Sequence, residues 1–394
     1  MKKIVSLMLT LALVLALLAG CATKNDAGTS SSPAPDNSTP FKVGGTGPLT
    51  GGAAIYGNAA KNGAQIAVDE INLIGGDIMF ELKYEDDEHD AEKAVNAYNA
   101  LKDWGIQISL GSVTSTPGTA TSPESFEDRL FALTPSASST TVTAGNDNTF
   151  QMCFADPNQG SASAQYILDK KLGTKIAVIY KNDDPYSKGI FETFKVTAGE
   201  LGLDIVSETT FTEDSKTDFT VQIADAQKSG ADIVFLPIYY EPASLIFQQA
   251  ASIGYAPKYF GVDGMDGILT LDGFDTALAE GVMLLTPFNA DATDDRTVNF
   301  VKKYQELHGE IPNQFAADGY DCIYAIYEAI KASDGKITSD MKADAICEEL
   351  IAIFTGSFKF DGLTGDAMSW AANGEVTKAP KGMVIEDGAY AGMD

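Results

Sequence analysis

The sequence predicts a two-lobed, doubly wound α/β protein, and three observations support this prediction. Its 394 residues exceed one ordinary domain of about 100–200 residues, so more than one folded unit is expected. Hydrophobic residues make up 44% of the chain and charged residues 21%, which is enough apolar material for sizeable cores. From residue 41 onward, short β-rich runs alternate with helical periods in two similar rounds, a pattern typical of parallel sheets.

The strands are predicted from runs of β-branched and aromatic residues bounded by turn residues. Two shorter runs, 131–133 and 258–260, precede polar loops in the same way. The six main runs are 41–46, 78–84, 106–111, 176–180, 232–236 and 282–286.

Three amphipathic helices are predicted between these strands. The first ends at Gly75 and Gly76, the second follows the N-cap candidate Asp90, and the third ends before Gly230. Their apolar stripes are Ala60, Ala64, Ala67, Ile71 and Ile74, then Ala91, Ala94, Tyr98 and Leu101, then Phe219, Ile223 and Ala226.

The first forty residues are predicted to export and anchor the protein. Lys2 and Lys3 precede a short apolar run, the pattern of a signal peptide, here residues 1–20. The run ends Leu18-Ala19-Gly20-Cys21, which resembles a bacterial lipobox and predicts lipidation of Cys21. Residues 21–40 are rich in Ser, Thr, Pro and Asn and are expected to form a flexible linker. An ordinary signal peptide with an incidental cysteine is the alternative.

The charge balance argues against a nucleic-acid partner. The formal net charge is −28, and the chain contains only two arginines, Arg129 and Arg296. Nucleic-acid affinity depends on clustered Lys and Arg that neutralise phosphates, so repulsion is expected. The acidic surface predicts a soluble monomer.

The cysteines and histidines predict no metal or cofactor. Cys153, Cys322 and Cys347 allow one disulfide at most, and their spacing to His89 and His308 offers no zinc pattern. Whether Cys322 and Cys347 pair stays open. Both histidines are expected to be solvated at the surface.

Polar loops after the predicted strands are candidate ligand sites, because ligands of open parallel sheets bind outside the carboxyl ends of the strands. Residues 111–117 combine hydroxyls with Pro117, which suits a first helical turn capped by Ser115 or Thr116 and able to hold an anion. Residues 134–141 form a second hydroxyl-rich loop. Ordinary exposed loops are the alternative.

A third candidate combines aromatic rings with carboxylates. Tyr239, Tyr240 and Glu241 follow the run 232–236, and Asp263 follows the run 258–260. Such groups can receive an ammonium group by ion pairing and cation–π contact. Exposed turn residues are again the alternative. An acidic cluster follows in the same region, namely Asp263, Asp266, Asp272 and Asp275. Because it lacks the spacing of an EF-hand, we interpret the cluster as solvated acid and not as a calcium site.

Seven ordered segments carry a resemblance to a known family. They are Gly51–Gly57, Ala67–Asn72 with Gly75 and Gly76, Tyr84–Asp87, Leu110–Ser112 with Ser115, Thr134–Ser138, Asp218–Phe219 and Gly319–Asp321. In order and spacing they resemble the leucine/isoleucine/valine-binding family of ABC-transporter substrate-binding proteins, which has the type I periplasmic-binding fold. The resemblance covers residues 41–387.

The resemblance implies a binding site for a small amino acid. Four matching positions would bind its α-carboxylate, two its α-ammonium, and three would line its side chain. These are Ser115, Ser136, Ala137 and Ser138 for the carboxylate, Tyr239 and Asp263 for the ammonium, and Tyr56, Tyr186 and Phe315 for the side chain. Asp263 departs from the family's common glutamate. His89 and Val113–Thr114 stand where some relatives have a disulfide.

The resemblance also implies the domain plan and the mechanism. Residues 41–153 and 287–381 would form the first lobe, and residues 154–286 and 382–394 the second, joined by a three-crossing hinge. Hinge closure over the ligand would then be recognised by membrane permease subunits.

Other functions are weighed against this interpretation. The sequence lacks the phosphate-binding G-x-x-x-x-G-K-[ST] and the hydrolase G-x-S-x-G motifs, which argues against an enzyme. A sensor of the same fold is expected to continue into a signalling segment, and none follows Asp394 in this sequence. An amide or an aromatic acid stays an alternative ligand.

Overall fold

Two sheets of mostly parallel strands organise residues 39–393, the part of the chain that the computed structural model describes. The predicted signal peptide, the lipidation site Cys21 and nearly all of the predicted linker lie outside the described residues.

The first sheet contains five strands in the order β2-β1-β3-β4-β5, and each neighbouring pair is parallel. The strands are β1 (Phe41–Gly47), β2 (Phe80–Asp86), β3 (Ile108–Ser112), β4 (Ala132–Thr134) and β5 (Thr149–Gln151).

The second sheet contains seven strands in the order β12-β11-β10-β9-β8-β6-β7. Strand β11 runs antiparallel to both β10 and β12, and the other neighbouring pairs are parallel. The strands are β6 (Lys175–Lys181), β7 (Asp204–Phe211), β8 (Ile233–Leu236), β9 (Lys258–Gly261), β10 (Met283–Thr286), β11 (Lys381–Glu386) and β12 (Ala389–Gly392).

Helices connect the strands, and within residues 39–393 none is long and apolar enough to cross a membrane. They are α1 (Ala54–Ile74), α2 (Ala91–Trp104), α3 (Ser115–Glu127), α4 (Thr140–Thr143), α5 (Asp156–Asp169), α6 (Pro185–Leu201), α7 (Thr220–Lys228), α8 (Tyr240–Ser252), α9 (Asp295–His308), α10 (Gln314–Ala332) and α11 (Ala343–Phe354).

The sequence predicted most of these elements. All eight strand runs are confirmed within two residues at each end, and the three helices are confirmed as α1, α2 and α7. The Asp90 carboxylate caps α2 by accepting the Lys93 N–H at 2.9 Å. Four strands, β5, β7, β11 and β12, were not predicted.

The predicted cap of α3 is wrong. Neither Ser115 nor Thr116 caps this helix, because α3 begins at Ser115 and Thr114 takes the N-cap position. The Thr114 hydroxyl makes no capping hydrogen bond, since it is bonded to His89 instead.

Each sheet has its own apolar core. The core of the first sheet includes Val43 of β1 and Ile323 of α10, and that of the second includes Phe235 of β8 and Phe194 of α6. The chain passes between the sheets three times, after β5, after β10 and before β11.

Close packing of α1 against α10 sets the position of the residues at their N-terminal ends. Gly63 and Gly319 permit this approach, because a Cβ at either glycine would collide with a carbonyl oxygen of the other helix. Tyr56 of α1 and Phe315 of α10 are thereby brought to the same place, at the edge of the first sheet.

The three cysteines in the described part of the chain are buried and unpaired. Cys322 and Cys347 both lie in the core of the first sheet and form no disulfide.

Candidate functional site

The loops at the carboxyl ends of the two sheets meet around a small cavity. Six of the nine predicted site residues line this cavity, and three others join them. The lining consists of the predicted Tyr56, Ser136, Tyr186, Tyr239, Asp263 and Phe315, with Val113, Thr114 and Gly264. Ser115, Ala137 and Ser138 lie in the adjoining loops but not in the lining.

The first-sheet side of the cavity consists of the loops after β3 and β4. The Ser136 hydroxyl donates to the Val113 carbonyl oxygen at 2.6 Å, which joins the two loops. The Ala137 N–H donates to the Thr134 hydroxyl at 3.0 Å. The Gln151 side chain donates to the Ala137 carbonyl oxygen at 2.8 Å and so fixes the second loop from below.

Two serines of this side differ in how their hydroxyls are used. The Ser115 hydroxyl accepts the Ser139 N–H at 3.1 Å. The Ser138 hydroxyl is buried and has no hydrogen-bond partner of ordinary geometry. The Asp156 carboxylate is the polar group near this hydroxyl.

Asp263 dominates the second-sheet side. It lies in the turn after β9 and is 3% exposed. Its Oδ1 accepts the Tyr186 hydroxyl at 2.6 Å, and the same hydroxyl accepts the Gly264 N–H at 2.9 Å. The Asp263 N–H donates to Gln159 at 3.2 Å. Burial raises the pKa of Asp263 to about 7, although these hydrogen bonds partly offset the effect.

Two further buried carboxylates, Asp156 near Asp263 and Asp184 near Asp156, were not among the predicted site residues. Asp184 caps α6, where it accepts the Tyr186 N–H at 3.3 Å, and burial raises its pKa to about 6. Asp156 begins α5; burial raises its pKa, and the charges of Asp263 and Asp184 raise it further. The nearby Ser138 hydroxyl favours the ionised form of Asp156, but neither carboxylate oxygen makes a hydrogen bond of ordinary geometry.

A sequence signal for these two acids exists. Asp156-Pro157 and Asp184-Pro185 are both aspartate–proline pairs at the start of a helix. An acid followed by proline is typical of a helix N-terminus, where the carboxylate meets free N–H groups. Pro117 in the first turn of α3 follows the same pattern without an acid before it.

Aromatic rings form the remaining wall. The Tyr56 ring centroid lies 4.2 Å from that of Phe315 and 5.2 Å from that of Tyr239, which in turn lies 4.7 Å from Tyr186. The Tyr56 hydroxyl donates to the Gly264 carbonyl oxygen at 2.5 Å, so this wall joins the two sheets.

The Tyr239 phenol stays neutral. Burial raises its pKa, and the carboxylates of Asp184, Asp156 and Asp263 raise it further. The Ser115 N–H points at its hydroxyl oxygen. Tyr239 therefore connects the hydroxyl-rich loop to the three carboxylates, and its O–H is available as a donor.

The prediction for His89 is wrong. Its ring is half-buried, its Nδ1 lies 2.8 Å from the Thr114 hydroxyl, and its centroid lies 5.4 Å from that of Tyr239. Burial lowers its pKa to about 4. A neutral hydrogen bond thus joins the segment after β2 to the start of α3.

The acidic cluster after β9 is also different from the prediction of solvated acid. Asp263 and Asp266 are buried, whereas Asp272 and Asp275 are exposed. Among residues 39–393, no group of three or more His, Cys, Asp or Glu side chains is arranged to hold a metal ion.

Sequence comparisons relate the chain to amino-acid-binding proteins. It is 31% identical over 227 residues to the Leu/Ile/Val-binding protein homolog 3 of Brucella melitensis, covering 57% of this chain and 61% of that protein. It is 26% identical over 351 residues to the Leu/Ile/Val-binding protein of Citrobacter freundii, covering 86% and 93%. The chain thus spans about three fifths of the first relative's length and most of the second's.

Solved structures share the fold. The leucine-binding protein LivK of Thermotoga maritima matches with a TM-score of 0.79 and 25% identity, covering 90% of this chain and 98% of that one. A solute-binding protein of an R. palustris ABC transporter, in complex with benzoate, matches with a TM-score of 0.79 and 19% identity, covering 90% and 96%.

The family comparison covers nearly the whole described chain. The sequence model of the periplasmic binding proteins matches residues 40–388. This range includes every strand except β12, the three passages between the sheets and every residue of the cavity lining. The chain therefore belongs to the periplasmic binding protein family and has its type I fold.

Proposed function

We propose that this protein is the extracytoplasmic substrate-binding component of an ABC importer and captures a small aliphatic or aromatic amino acid in the cavity between the sheets. The observation that carries the proposal is that a neutral, hydroxyl-rich loop lies across the cavity from the buried carboxylate of Asp263, which has the carboxylate of Asp156 near it. A zwitterion complements both sides at once.

The carboxylate of the ligand is proposed to bind on the first-sheet side. Ser115, Ser136 and Ser138 offer hydroxyls there, near the start of α3. Neutral donors bind a carboxylate well in a dry site, particularly beside a helix N-terminus. The two arginines are engaged elsewhere, Arg129 with Asp147 and Arg296 with the Gly362 carbonyl oxygen.

The ammonium is proposed to bind on the second-sheet side, to Asp263 and the Tyr239 hydroxyl. Asp156 lies beside Asp263 and is proposed to add its charge. A buried carboxylate without a cation costs several kcal/mol, and an ammonium group removes that cost. The rings of Tyr56, Tyr186 and Phe315 would then surround the ligand's side chain.

Closure of two lobes is proposed as the mechanism, with residues 41–153 and 287–381 in the first lobe and residues 154–286 and 382–394 in the second. The ligand binds one lobe, hinge motion brings Asp263 and Tyr239 onto it, and the exclusion of water strengthens each charged contact. Permease subunits would recognise the closed form. A lipid on Cys21 would hold the monomeric protein at the membrane.

The named relatives support this proposal over a different ligand. The two sequence relatives are named for leucine, isoleucine and valine. The R. palustris protein shows that the fold accommodates benzoate, so an aromatic acid is the second candidate. Asp263 disfavours that candidate, because a ligand without an amine would leave its carboxylate unpaired.

A thermal-shift screen tests the proposal. The purified protein is unfolded and refolded to remove bound ligand, then heated with each proteinogenic amino acid, with amides and with aromatic acids. A ligand at 100 times its Kd adds about 2.7 kcal/mol to the free energy of unfolding, which is readily seen. A rise with amino acids supports the proposal. A rise with aromatic acids alone, or with none of these compounds, contradicts it.

A further inference from the structure

We infer that Gln314 is a positioning residue that holds the two sides of the cavity together over a bound ligand without touching it. The inference rests on the proposed function, since it concerns the same cavity. It goes beyond the predicted site, in which Gln314 has no part.

Gln314 is the first residue of α10 and is 2% exposed. Its Nε2 donates to the Asp263 carbonyl oxygen at 2.7 Å, and its backbone N–H donates to Asp266 Oδ2 at 2.9 Å. Both acceptors lie in the turn after β9 of the second sheet. Helix α10 itself packs in the core of the first sheet.

The third contact of Gln314 leads to a passage between the sheets. The Thr286 hydroxyl, at the end of β10, lies 3.4 Å from Gln314 Oε1 and is oriented to donate to it. The chain leaves the second sheet at this point. One amide side chain thus links the turn that carries Asp263, the start of α10 and the second passage.

These contacts hold the turn but cannot bind the ligand directly. Gln314 is absent from the cavity lining, whereas the next residue, Phe315, is part of it. The Asp263 carbonyl oxygen that Gln314 holds belongs to the residue proposed to receive the ammonium. If Gln314 lost its amide donor, the Asp263 carbonyl oxygen would be buried without a hydrogen bond in the closed form. In the open form water could bond to this oxygen, so the loss would destabilise only the closed form.

The consequence is kinetic. Ligand entry precedes closure, so the association rate constant does not depend on the Gln314 contacts. Dissociation requires the sides to separate and therefore breaks them. We expect these contacts to lengthen the residence time of the ligand, as most interface effects act on dissociation.

Stopped-flow measurement of ligand dissociation tests the inference with Gln314→Met, which keeps the length of the side chain and removes the donor. The ligand is the amino acid that binds the wild-type protein most tightly. The dissociation rate constant is expected to rise about tenfold or more, with the association rate constant changed by less than about twofold. The melting temperature of the unliganded protein should stay unchanged.

Gln107→Met is the matched control. Gln107 is a half-buried glutamine whose amide likewise donates to backbone carbonyls, those of Ser339 and Met341 at 2.8 and 3.0 Å. All of its partners lie away from the cavity. This variant should lower the melting temperature of the unliganded protein and leave the dissociation rate unchanged.

The outcomes separate the two proposals. No amino-acid binding by the wild type contradicts the proposed function. Normal wild-type binding with an unchanged dissociation rate in Gln314→Met contradicts the positioning role, as does an equal loss of melting temperature without ligand. Should Gln314→Met not fold, Gln314→Asn retains an amide that is one methylene too short, and its dissociation rate must still exceed that of the wild type.

Discussion

The two sides of the cavity are built alike and carry opposite chemistry. Each side consists of loops that follow parallel strands and lead into helix N-termini. The first-sheet side presents hydroxyls and no carboxylate to the cavity, as in Thr114 and Ser136. The second-sheet side presents the Asp263 carboxylate, and the carboxylate of Asp156 is near it. The fold therefore fixes where a ligand sits, and the side chains of the loops fix which way it points.

Because of this difference, the unfavourable free energy of a cavity without ligand arises mainly on the second-sheet side. Hydroxyls such as that of Ser136 satisfy one another or the backbone when no ligand is bound. Buried carboxylates cannot do so without a cation, and their pKa values rise instead. The second-sheet side should therefore contribute most of the selectivity for an amine.

Among the substitutions that test this difference, removal of the Asp263 carboxylate should reduce amino-acid affinity the most. Asp263→Asn keeps the shape of the side chain and removes its charge, so amino-acid affinity should fall by at least about 100-fold in calorimetric titration. The unliganded Asp263→Asn protein should melt no lower than the unliganded wild type, because the substitution removes a buried charge that has no cation beside it.

Asp272→Asn provides the control for that substitution. Asp272 is an exposed aspartate nine residues further along the chain and outside the cavity. The affinity of the Asp272→Asn protein for the amino acid should equal that of the wild type. Full affinity in Asp263→Asn would show that the ammonium does not bind on the second-sheet side.

Changes on the first-sheet side should cost less, because several neutral donors share the carboxylate. The double substitution Ser115→Ala and Ser138→Ala is expected to weaken binding about 30-fold by titration. Ser122→Ala, in the same helix as Ser115 and outside the cavity lining, is the control. Equal affinity of the double variant and the control would move the carboxylate to another part of the cavity.

The pH dependence of binding sharpens the contrast further. The raised pKa of Asp263, about 7, means that its carboxyl is protonated in the unliganded closed form at acidic pH. An ammonium ligand needs the ionised form, so affinity should rise about tenfold between pH 5.5 and 7.5 and then level off. Asp156 and Asp184, whose pKa values are also raised, act in the same direction.

The same shift predicts the opposite trend without ligand. Between the ordinary pKa of an aspartate and about 7, the folded protein binds more protons at Asp263 than the unfolded chain. The free energy of unfolding of the unliganded protein should therefore fall as pH rises through this window. Melting curves at several pH values check the sign. The slope should be smaller in Asp263→Asn, and an unchanged slope would assign it to other groups.

The smallest effect is expected at Tyr186. Tyr186→Phe removes the hydroxyl that donates to Asp263 and accepts the Gly264 N–H, but it keeps the ring in the wall. Affinity should fall about fivefold, and the midpoint of the pH dependence should move upward because the ionised carboxylate loses a donor. An unchanged midpoint would mean that Tyr186 does not hold Asp263 in the liganded protein.

The sequence was sufficient for eight of the twelve strands and for six of the nine residues that line the cavity. Strand runs and helical stripes depend on local periodicity, which is why β1 and β6 were predicted nearly to the residue and α1 was predicted with its C-terminal end. The missed strands have weaker local signals. Strand β5 has only three residues, and β11 and β12 form an antiparallel pair outside the alternating pattern.

The site residues that could not be predicted depend on contacts between distant segments. His89 has acidic neighbours in sequence, but its ring is covered by Thr114 and Tyr239. Gln314 is an ordinary polar residue at a helix start until the fold brings it to Asp263, which is 51 positions away along the chain. Local patterns predict neither contact, because each needs the two sheets to face one another.

Calorimetric titration with ligand analogues that lack either the amine or the carboxylate tests the central claim most directly. The refolded protein is titrated at pH 7.5 with the amino acid it binds most tightly and with its analogues lacking the amine or the carboxylate. For leucine these are 4-methylpentanoate and 3-methylbutylamine. The account predicts tight binding of the amino acid and binding at least about 100-fold weaker for both analogues, because each leaves one side of the cavity unpaired. Binding of the amine-free acid as tight as that of the amino acid would contradict it.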